Sequence, residues 1–196
     1  MRYPPNQKQL SRSKVLAAAG RVFRRRGFRG AGIDAVMKEA GMTKGAFSQH
    51  FRSKDELLAE TIEGVLTERM DALFDRGPGV SGRNWVRAVV CRYLSVEHLR
   101  DLEDGCPVPA LLSELSRADR RSRAIFQKMM RRGTDRFAKH LAHLPAARAR
   151  GHARAIMSAC FGALALARAM YGSKQAEEII TSARDALLDT VESLFE

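Results

Sequence analysis

Residues 44–49 include small, cationic and amide-bearing side chains, which are types that can contact the edges of DNA bases. Lys44 can donate hydrogen bonds to guanine O6 and N7, and Gln49 can pair with adenine N6 and N7. Gly45 and Ala46 carry so little side chain that the backbone can approach the bases, and Ala46 can meet a thymine methyl group. We therefore predict that this segment contacts bases in the major groove.

Hydroxyl, imidazole and ammonium groups around this segment are candidates for contacts with phosphate. Lys54 lies at the predicted start of a helix, whose free amide groups also favour an anion. For one candidate, the imidazole of His50, packing beside Phe51 is an equal alternative. The predicted phosphate contacts are Thr43, Ser48, His50 and Lys54, with additional non-specific contacts from Lys8 and Arg12.

Two short helices joined by a glycine turn are needed to present these residues. An apolar stripe at helical spacing predicts the first helix, and Gly41 can end it in a left-handed conformation. Thr43 can then cap a second helix, and Ser53 and Glu56 form a capping box that starts a third. The stripe consists of Ile33, Val36, Met37 and Ala40, and the inward anchors of the second helix are Phe47 and Phe51. This pattern is typical of a helix-turn-helix.

Positive charge is concentrated on the same part of the chain. Residues 1–55 contain 13 Lys and Arg against 3 Asp and Glu, a net charge of +10. The remaining 141 residues contain 21 against 19, so they contribute only +2. Because the charge coincides with the helix-turn-helix, we interpret it as attraction to a polyphosphate rather than as a solvated surface alone.

The whole chain of 196 residues is predicted to be all-α, with an N-terminal three-helix helix-turn-helix domain and a larger helical domain. The expected domains are residues 1–52, for DNA binding, and residues 53–196, for effector binding and dimerisation. Apolar periodicity predicts helices over about 11–26, 53–74, 84–99, 110–117, 120–142, 145–171 and 174–195, besides the two short ones.

The N-terminal region resembles the TetR (tetracycline-repressor, TetR/AcrR) family of transcription factors. The resemblance is carried by VLAAAGRVFRRRGF, AVMKEAGMTKGAFSQHF and SKDELL, and HLRDLEDGCPVPALLSEL looks like a segment of some members' C-terminal domains. The resemblance implies a dimer in which each subunit carries one DNA-binding helix-turn-helix, or reading head. It also implies a helical domain that binds a small effector, after which the protein releases DNA. The chain departs from the family pattern in having Ser48 where Tyr is usual, and Ala31-Gly32 where Ser or Thr opens the helix.

The C-terminal helices supply the expected effector and dimer sites. Large apolar side chains with a few polar groups predict a pocket for an apolar or aromatic compound, although core packing is the favoured interpretation of each residue taken singly. The candidates are Met70, Phe74, Trp85, Tyr93, His98, Cys106, Phe126, Met130 and Phe161. Small and apolar positions on the last two helices predict the homodimer interface, with an intramolecular core as the alternative: Ile156, Ala159, Ala163, Leu164, Ala167, Ile180, Leu187 and Val191.

We therefore predict a homodimeric, ligand-responsive regulator of transcription that acts as a repressor. No cofactor or metal is expected. Alternatives are a small-molecule or protein-binding module with weakened DNA binding, and a thiol-based sensor that uses Cys106. An enzyme is not expected, because the sequence has no nucleophile elbow, phosphate loop or metal-ligand signature. Three cysteines without short spacing and the lack of an apolar leader or 20-residue apolar run predict a cytoplasmic protein that does not enter a membrane.

Overall fold

The computed structural model describes residues 5–75 and 79–196, and within these ranges the regular structure is entirely helical. This confirms the predicted all-α class. The helices are α1 (Pro5–Gly30), α2 (Ile33–Glu39), a 3₁₀ helix (Lys44–Gln49, hereafter the 3₁₀ segment), α3 (Lys54–Phe74), α4 (Gly82–Tyr93), α5 (Val96–Arg100), α6 (Val108–Leu115), α7 (Arg120–Lys139), α8 (Ala146–Ala169) and α9 (Lys174–Ser193).

The helices form two compact units. The first, the N-terminal unit, comprises the described residues up to Glu68 together with Cys106–Met129, and the second, the C-terminal unit, comprises Arg69–Gly105 and Met130–Glu196. The N-terminal unit therefore includes α6 and the first half of α7 as well as the helix-turn-helix. The sequence-based division at residue 53 concerns function, and it stays a prediction.

In the N-terminal unit, α1 packs against α2 and α6 through a continuous apolar face. The face of α1 consists of Val15, Ala18, Ala19, Val22 and Phe23, all at most 2% exposed. Helix α1 begins at Pro5, so the predicted start near residue 11 is wrong. Proline is tolerated there because the first turn of a helix has no use for its missing N–H.

Gly27 interrupts α1 where the sequence predicts that the helix ends. Its φ of 69° and ψ of 167° are not helical, and the chain resumes helical turning for Phe28–Gly30. The carboxylate of Glu114, on α6, accepts hydrogen bonds from the amides of Phe28 and Arg29 beyond this break. A distant side chain thus caps the resumed turn, whose amides would otherwise have no helical partner.

In the C-terminal unit, α9 packs against α8 and α4. Trp85 lies at the centre of an aromatic cluster, with its ring 5.1 Å from that of Phe137, 5.5 Å from that of Phe74 and stacked at 3.8 Å on His140. Its indole N–H donates to the carbonyl of Phe74 at 3.1 Å, so the polar atom of this buried ring is satisfied.

The predicted helix over residues 84–99 is two helices. Leu94 has φ −96° and ψ 66°, which ends α4, and the hydroxyl of Ser95 accepts from the amide of His98 at 3.1 Å, which starts α5. A serine that caps a new helix competes with continuation of the old one. The loop predicted after α3 lies partly outside the described residues, since 76–78 are among those not described.

Candidate nucleic-acid interface

The structure confirms the predicted helix-turn-helix. Val36 and Met37 are the buried residues of α2, and Gly41 has a φ of 69°, as expected for the residue that ends this helix. The turn is closed by hydrogen bonds from the amide of Gly41 to the carbonyl of Lys38 at 3.0 Å and from the amide of Met42 to the carbonyl of Met37 at 2.8 Å. The chain therefore reverses within a few residues, and the 3₁₀ segment follows α2 directly.

Two phenylalanines, Phe47 within the 3₁₀ segment and Phe51 two residues after its end, anchor the segment in the core. Phe47 and Phe51 are 8% and 2% exposed, and their rings stack with centroids 5.7 Å apart. The segment winds with three residues per turn, as in the bond from the amide of Ala46 to the carbonyl of Thr43 at 3.1 Å. Thr43 precedes it, but its side chain makes no capping bond, so the predicted role of Thr43 as a side-chain cap is wrong.

The opposite face of the 3₁₀ segment is open. Thr43, Lys44, Gly45, Ser48 and Gln49 are exposed, and Ala46 is half-buried. A Cβ atom at Gly45 would meet nothing within 4 Å, so contacts within this chain give no reason for a glycine there. The open face consists of the same residues for which the sequence predicts contacts with bases.

Lys44 forms an exposed, weak ion pair within its own chain. Its ammonium group lies 3.0 Å from a carboxylate oxygen of Asp34, but the two side chains are 71% and 67% exposed. An ion pair with this exposure contributes little free energy, because water and salt screen it. Lys44 can therefore exchange this partner for a base or a phosphate at small cost. The Ser48 hydroxyl donates to the carbonyl of Gly45 at 3.3 Å, a contact within the same turn.

Two predicted phosphate contacts, His50 and Lys54, are affected by their surroundings in the N-terminal unit. Burial, followed by the positive charges of Lys8 and Arg12, lowers the pKa of His50 below its usual 6.5, so its imidazole is mainly neutral near pH 7. Lys54 donates to the carbonyl of Arg29 at 3.4 Å and lies 4.4 Å from the centre of the Phe28 ring. Lys54 therefore helps to hold the unit together, whereas the half-buried imidazole of His50 carries little positive charge to attract phosphate.

Arginines of α1 also make contacts inside the unit that sequence analysis missed. Arg21 and Arg25 donate to Glu39 at 2.9 and 2.8 Å, and these bonds lower the pKa of the Glu39 carboxyl. Arg12, predicted to contact phosphate, instead binds Glu60 of α3 and the carbonyl of His50. These partners are 14 to 48 residues apart in sequence, so no local motif reveals them.

The predicted effector residues fall into separate groups. In the C-terminal unit, Phe74 and Trp85 belong to the aromatic cluster, whereas Tyr93 lies 4.7 Å from His98 and 5.6 Å from Phe161. Met70 and Met130 are in the same unit, and Cys106 and Phe126 are half-buried in the N-terminal unit. Seven of the nine residues therefore belong to the C-terminal unit and two to the N-terminal unit, and their assignment to one effector pocket stays a prediction.

A small apolar cavity of about 10 Å³ lies in the N-terminal unit, where sequence analysis expected none. None of the nine predicted effector residues lines it. Its walls come from α1, α3, α6 and the residue before α6, and they consist of Gly20, Phe23, Thr61, Ile62, Val65, Pro107, Val108, Leu111 and Leu115. A space of this size holds about one water molecule.

Five of the eight predicted dimer residues are buried inside a single chain. Ile156, Leu164, Ala167, Ile180 and Val191 are at most 2% exposed, because α8 and α9 pack on each other within the C-terminal unit. For these five, the alternative of an intramolecular core is correct. Among the other three, Ala159 is exposed, and Ala163 and Leu187 are half-buried. The outward face of α8 instead presents Ala155, Ala159, Gly162 and Leu166, the last of which is 55% exposed.

Comparison with known proteins finds similarity to bacterial regulators of transcription. Residues 15–61 match the family model described as bacterial regulatory proteins, tetR family. The chain is 31% identical over 114 residues to the HTH-type transcriptional regulator LmrA of Bacillus subtilis, which is 54% of this chain and 57% of LmrA. It is 26% identical over 139 residues to the uncharacterized regulator YxaF of the same organism, covering 67% of this chain and 70% of YxaF.

Solved structures with the same fold extend over nearly the whole chain. A TetR transcriptional regulator from Chloroflexus aurantiacus superimposes with a TM-score of 0.79 at 19% identity, covering 95% of this chain and 96% of that one. The reduced form of E. coli NemR gives a TM-score of 0.70 at 21% identity, covering 89% of this chain and 95% of that one.

Within residues 5–75 and 79–196, no helix has the length and apolarity needed to cross a membrane.

Proposed function

Since the chain belongs to the TetR family of bacterial regulatory proteins, we propose that it binds DNA in a sequence-selective manner and regulates transcription. The observation that carries this proposal is the open face of the 3₁₀ segment. Lys44, Gly45 and Gln49 are exposed there, while Phe47 and Phe51 anchor the other side in the core. An exposed cation and amide on a rigid support are what direct reading of bases requires.

We assign contacts with bases to Lys44 and Gln49, with close approach at Gly45 and Ala46. Thr43 and Ser48, which are exposed next to them, are proposed to contact phosphate. His50 and Lys54 are proposed as weaker contacts, since Lys54 already donates to the carbonyl of Arg29 and the imidazole of His50 is mainly neutral near pH 7. The net charge of +10 on residues 1–55 supports attraction of the duplex to this side of the chain.

We propose that the regulator acts as a homodimer. Support comes from the outward face of α8, where small residues surround Leu166, which is 55% exposed. Small residues allow a helix of a second copy to approach closely, and two-fold symmetry then gives two reading heads. Such heads fit half-sites about 34–36 Å apart, one turn of the duplex, or a multiple of that distance.

We further propose that the protein is a repressor that an apolar or aromatic compound releases from DNA. Support comes from the concentration of aromatic side chains in the C-terminal unit, around Trp85 and around Tyr93. An effector can act only by binding one of two conformations more tightly than the other. A thermal-shift screen of aromatic compounds, followed by DNA binding with each compound that stabilises the protein, tests this part separately.

Selection of bound duplexes from a random-sequence pool tests DNA recognition directly, because the pool contains every possible half-site. We expect enrichment of a palindrome-like sequence, and sedimentation of the free protein at about twice the mass of one chain. The logarithm of the association constant should fall linearly with the logarithm of salt concentration, by about 0.9 for each phosphate contact. Recovery of no preferred sequence would contradict the proposal.

A further inference from the structure

The guanidinium group of Arg12 joins three parts of the N-terminal unit. From α1, its Nη2 atom donates to both carboxylate oxygens of Glu60, on α3, at 2.6 Å. Its Nη1 atom donates to the carbonyl of His50, which directly follows the 3₁₀ segment. Its carbon Cζ lies 4.2 Å from the centre of the Phe51 ring. One side chain therefore touches α3 and two consecutive residues after the 3₁₀ segment.

These contacts are partly shielded from solvent. The side chains of Arg12 and Glu60 are 30% and 22% exposed, compared with 71% and 67% for the Lys44–Asp34 pair. A planar guanidinium donates hydrogen bonds in fixed directions, and the contact of its Nη2 atom with both oxygens of Glu60 limits its rotation. Glu60 thereby directs the remaining N–H groups of Arg12 toward the His50 carbonyl.

The position held by Arg12 matters because Phe51 supports the 3₁₀ segment. Phe51 stacks on Phe47, which lies within the segment, and the amides of His50 and Phe51 both donate to the carbonyl of Phe47 at 2.9 Å. Movement of His50 and Phe51 would therefore displace Phe47. Lys44 and Gln49 lie three and two residues from Phe47, so their orientation depends on it.

We propose that Arg12 and Glu60 are positioning residues for DNA recognition, which hold the end of the 3₁₀ segment so that Lys44 and Gln49 face the bases. This inference rests on the proposed function. Arg12 then has a role other than contact with phosphate. The role of Glu60, an acidic residue in a unit proposed to bind DNA, is to hold Arg12 in place.

Glu60 also faces a second cation. The guanidinium of Arg121, in the first turn of α7, lies 3.9 Å from a Glu60 oxygen, but its side chain is 56% exposed. A long, exposed pair of this kind contributes little, so Arg12 is the partner that matters. Arg121 consequently provides a matched control that removes a cation from the same carboxylate.

The two roles of Arg12 predict opposite effects of Glu60→Gln. If Arg12 contacts phosphate, loss of Glu60 releases it and removes a negative charge, so binding of DNA tightens. If Arg12 positions the 3₁₀ segment, loss of Glu60 weakens selective binding. We expect a loss of about tenfold, the size that corresponds to one bond to a charged group.

The experiment compares Glu60→Gln and Arg12→Gln with two controls, Glu63→Gln and Arg121→Gln, in the full chain. Glu63 is on the same helix as Glu60 and is 50% exposed beside Lys128, so its replacement removes the same charge without touching Arg12. The probe is the duplex that the parent protein selects from a random pool, titrated over a series of salt concentrations. Amide exchange of residues 44–51 is followed by mass spectrometry in the protein without DNA.

We expect Glu60→Gln and Arg12→Gln to weaken selective binding about tenfold with the salt slope of the parent, and to speed amide exchange in residues 44–51. The controls should match the parent in both measurements. The inference is overturned if Glu60→Gln binds as tightly as Glu63→Gln or more tightly, or if Arg12→Gln lowers the salt slope by about 0.9. It is overturned equally if exchange in residues 44–51 does not change. If the parent selects no DNA sequence, the proposed function fails, and the exchange measurement alone decides whether these residues position the segment.

Discussion

Replacing Glu114 by alanine removes the acceptor for two backbone amides at the break in α1. The carboxylate accepts from the amides of Phe28 and Arg29, the latter at 2.7 Å. The break itself is made by Gly27, whose φ of 69° only glycine adopts readily. A Cβ at Gly27 would lie 3.2 Å from a Glu114 oxygen, so the carboxylate fits closely over the break.

The magnitude follows from the number and exposure of these bonds. A buried hydrogen bond to a charged group contributes roughly 1.5–3 kcal/mol to the free energy of unfolding. The bond to Arg29 is exposed and that to Phe28 is partly buried, so water replaces part of what is lost. We expect Glu114→Ala to cost about 2 kcal/mol in total, and Glu114→Gln, which keeps one acceptor, about half of that. For a chain of this length, about 2 kcal/mol lowers Tm by about 4–8 °C.

Thermal and urea unfolding, followed by circular dichroism, measure this cost. Glu68→Ala is the control, because Glu68 is an exposed glutamate in the same unit and should change the free energy by less than about 0.5 kcal/mol. Amide exchange of Phe28 and Arg29, measured by NMR, should become faster in Glu114→Ala alone. The reasoning is refuted if Glu114→Ala unfolds like Glu68→Ala and both amides exchange as in the parent.

Two further predictions concern the C-terminal unit. Burial lowers the pKa of His98, whose Nδ1 lies 2.7 Å from the Tyr93 carbonyl, so the folded protein favours the neutral imidazole. The unfolded chain therefore takes up the proton first, and the free energy of unfolding should fall as the pH drops below about 6.5, by at most about 1.4 kcal/mol per pH unit. His98→Asn keeps a donor for the carbonyl and should reduce this slope in urea titrations on either side of that pH; equal slopes would show that His98 does not contribute. Gly105→Ala should cost about 2 kcal/mol, because its Cβ would clash with the Asp101 carbonyl oxygen. Gly151→Ala, at a helical position with nothing within 4 Å of a Cβ, should be neutral or slightly stabilising, and equal Tm values for the two variants would contradict this explanation.

Features set by neighbours in sequence were predictable. Gly41 ends α2 with the expected positive φ, and Ser53 caps α3 by accepting from the amide of Glu56 at 3.0 Å. The paired anchors Phe47 and Phe51 are buried as their spacing indicates. In each case the interaction joins residues within four positions of one another, so a pattern in the sequence contains all of its parts.

Features set by distant residues were not predictable in this way. Arg12 has the type and location of a phosphate contact, and only the fold brings Glu60 to it. Glu114 looks like a polar residue of an amphipathic helix until α6 packs on α1. The apolar stripes of α8 and α9 have the same period whether they meet within one chain or across two, so periodicity did not separate the buried Leu164 from an interface residue.

The measurement that tests the central claim most directly is the selectivity of Lys44→Ala/Gln49→Ala, expressed as the ratio of affinities for the selected duplex and a scrambled one. The control is Lys174→Ala/Gln175→Ala, which removes the same two residue types from an exposed site on α9. Since each good contact with a base contributes about 1–3 kcal/mol of discrimination, we predict that the ratio falls at least about tenfold in the first variant only, with Tm unchanged. A double variant that still prefers the selected duplex as strongly as the control does would contradict the assignment of DNA reading to the 3₁₀ segment.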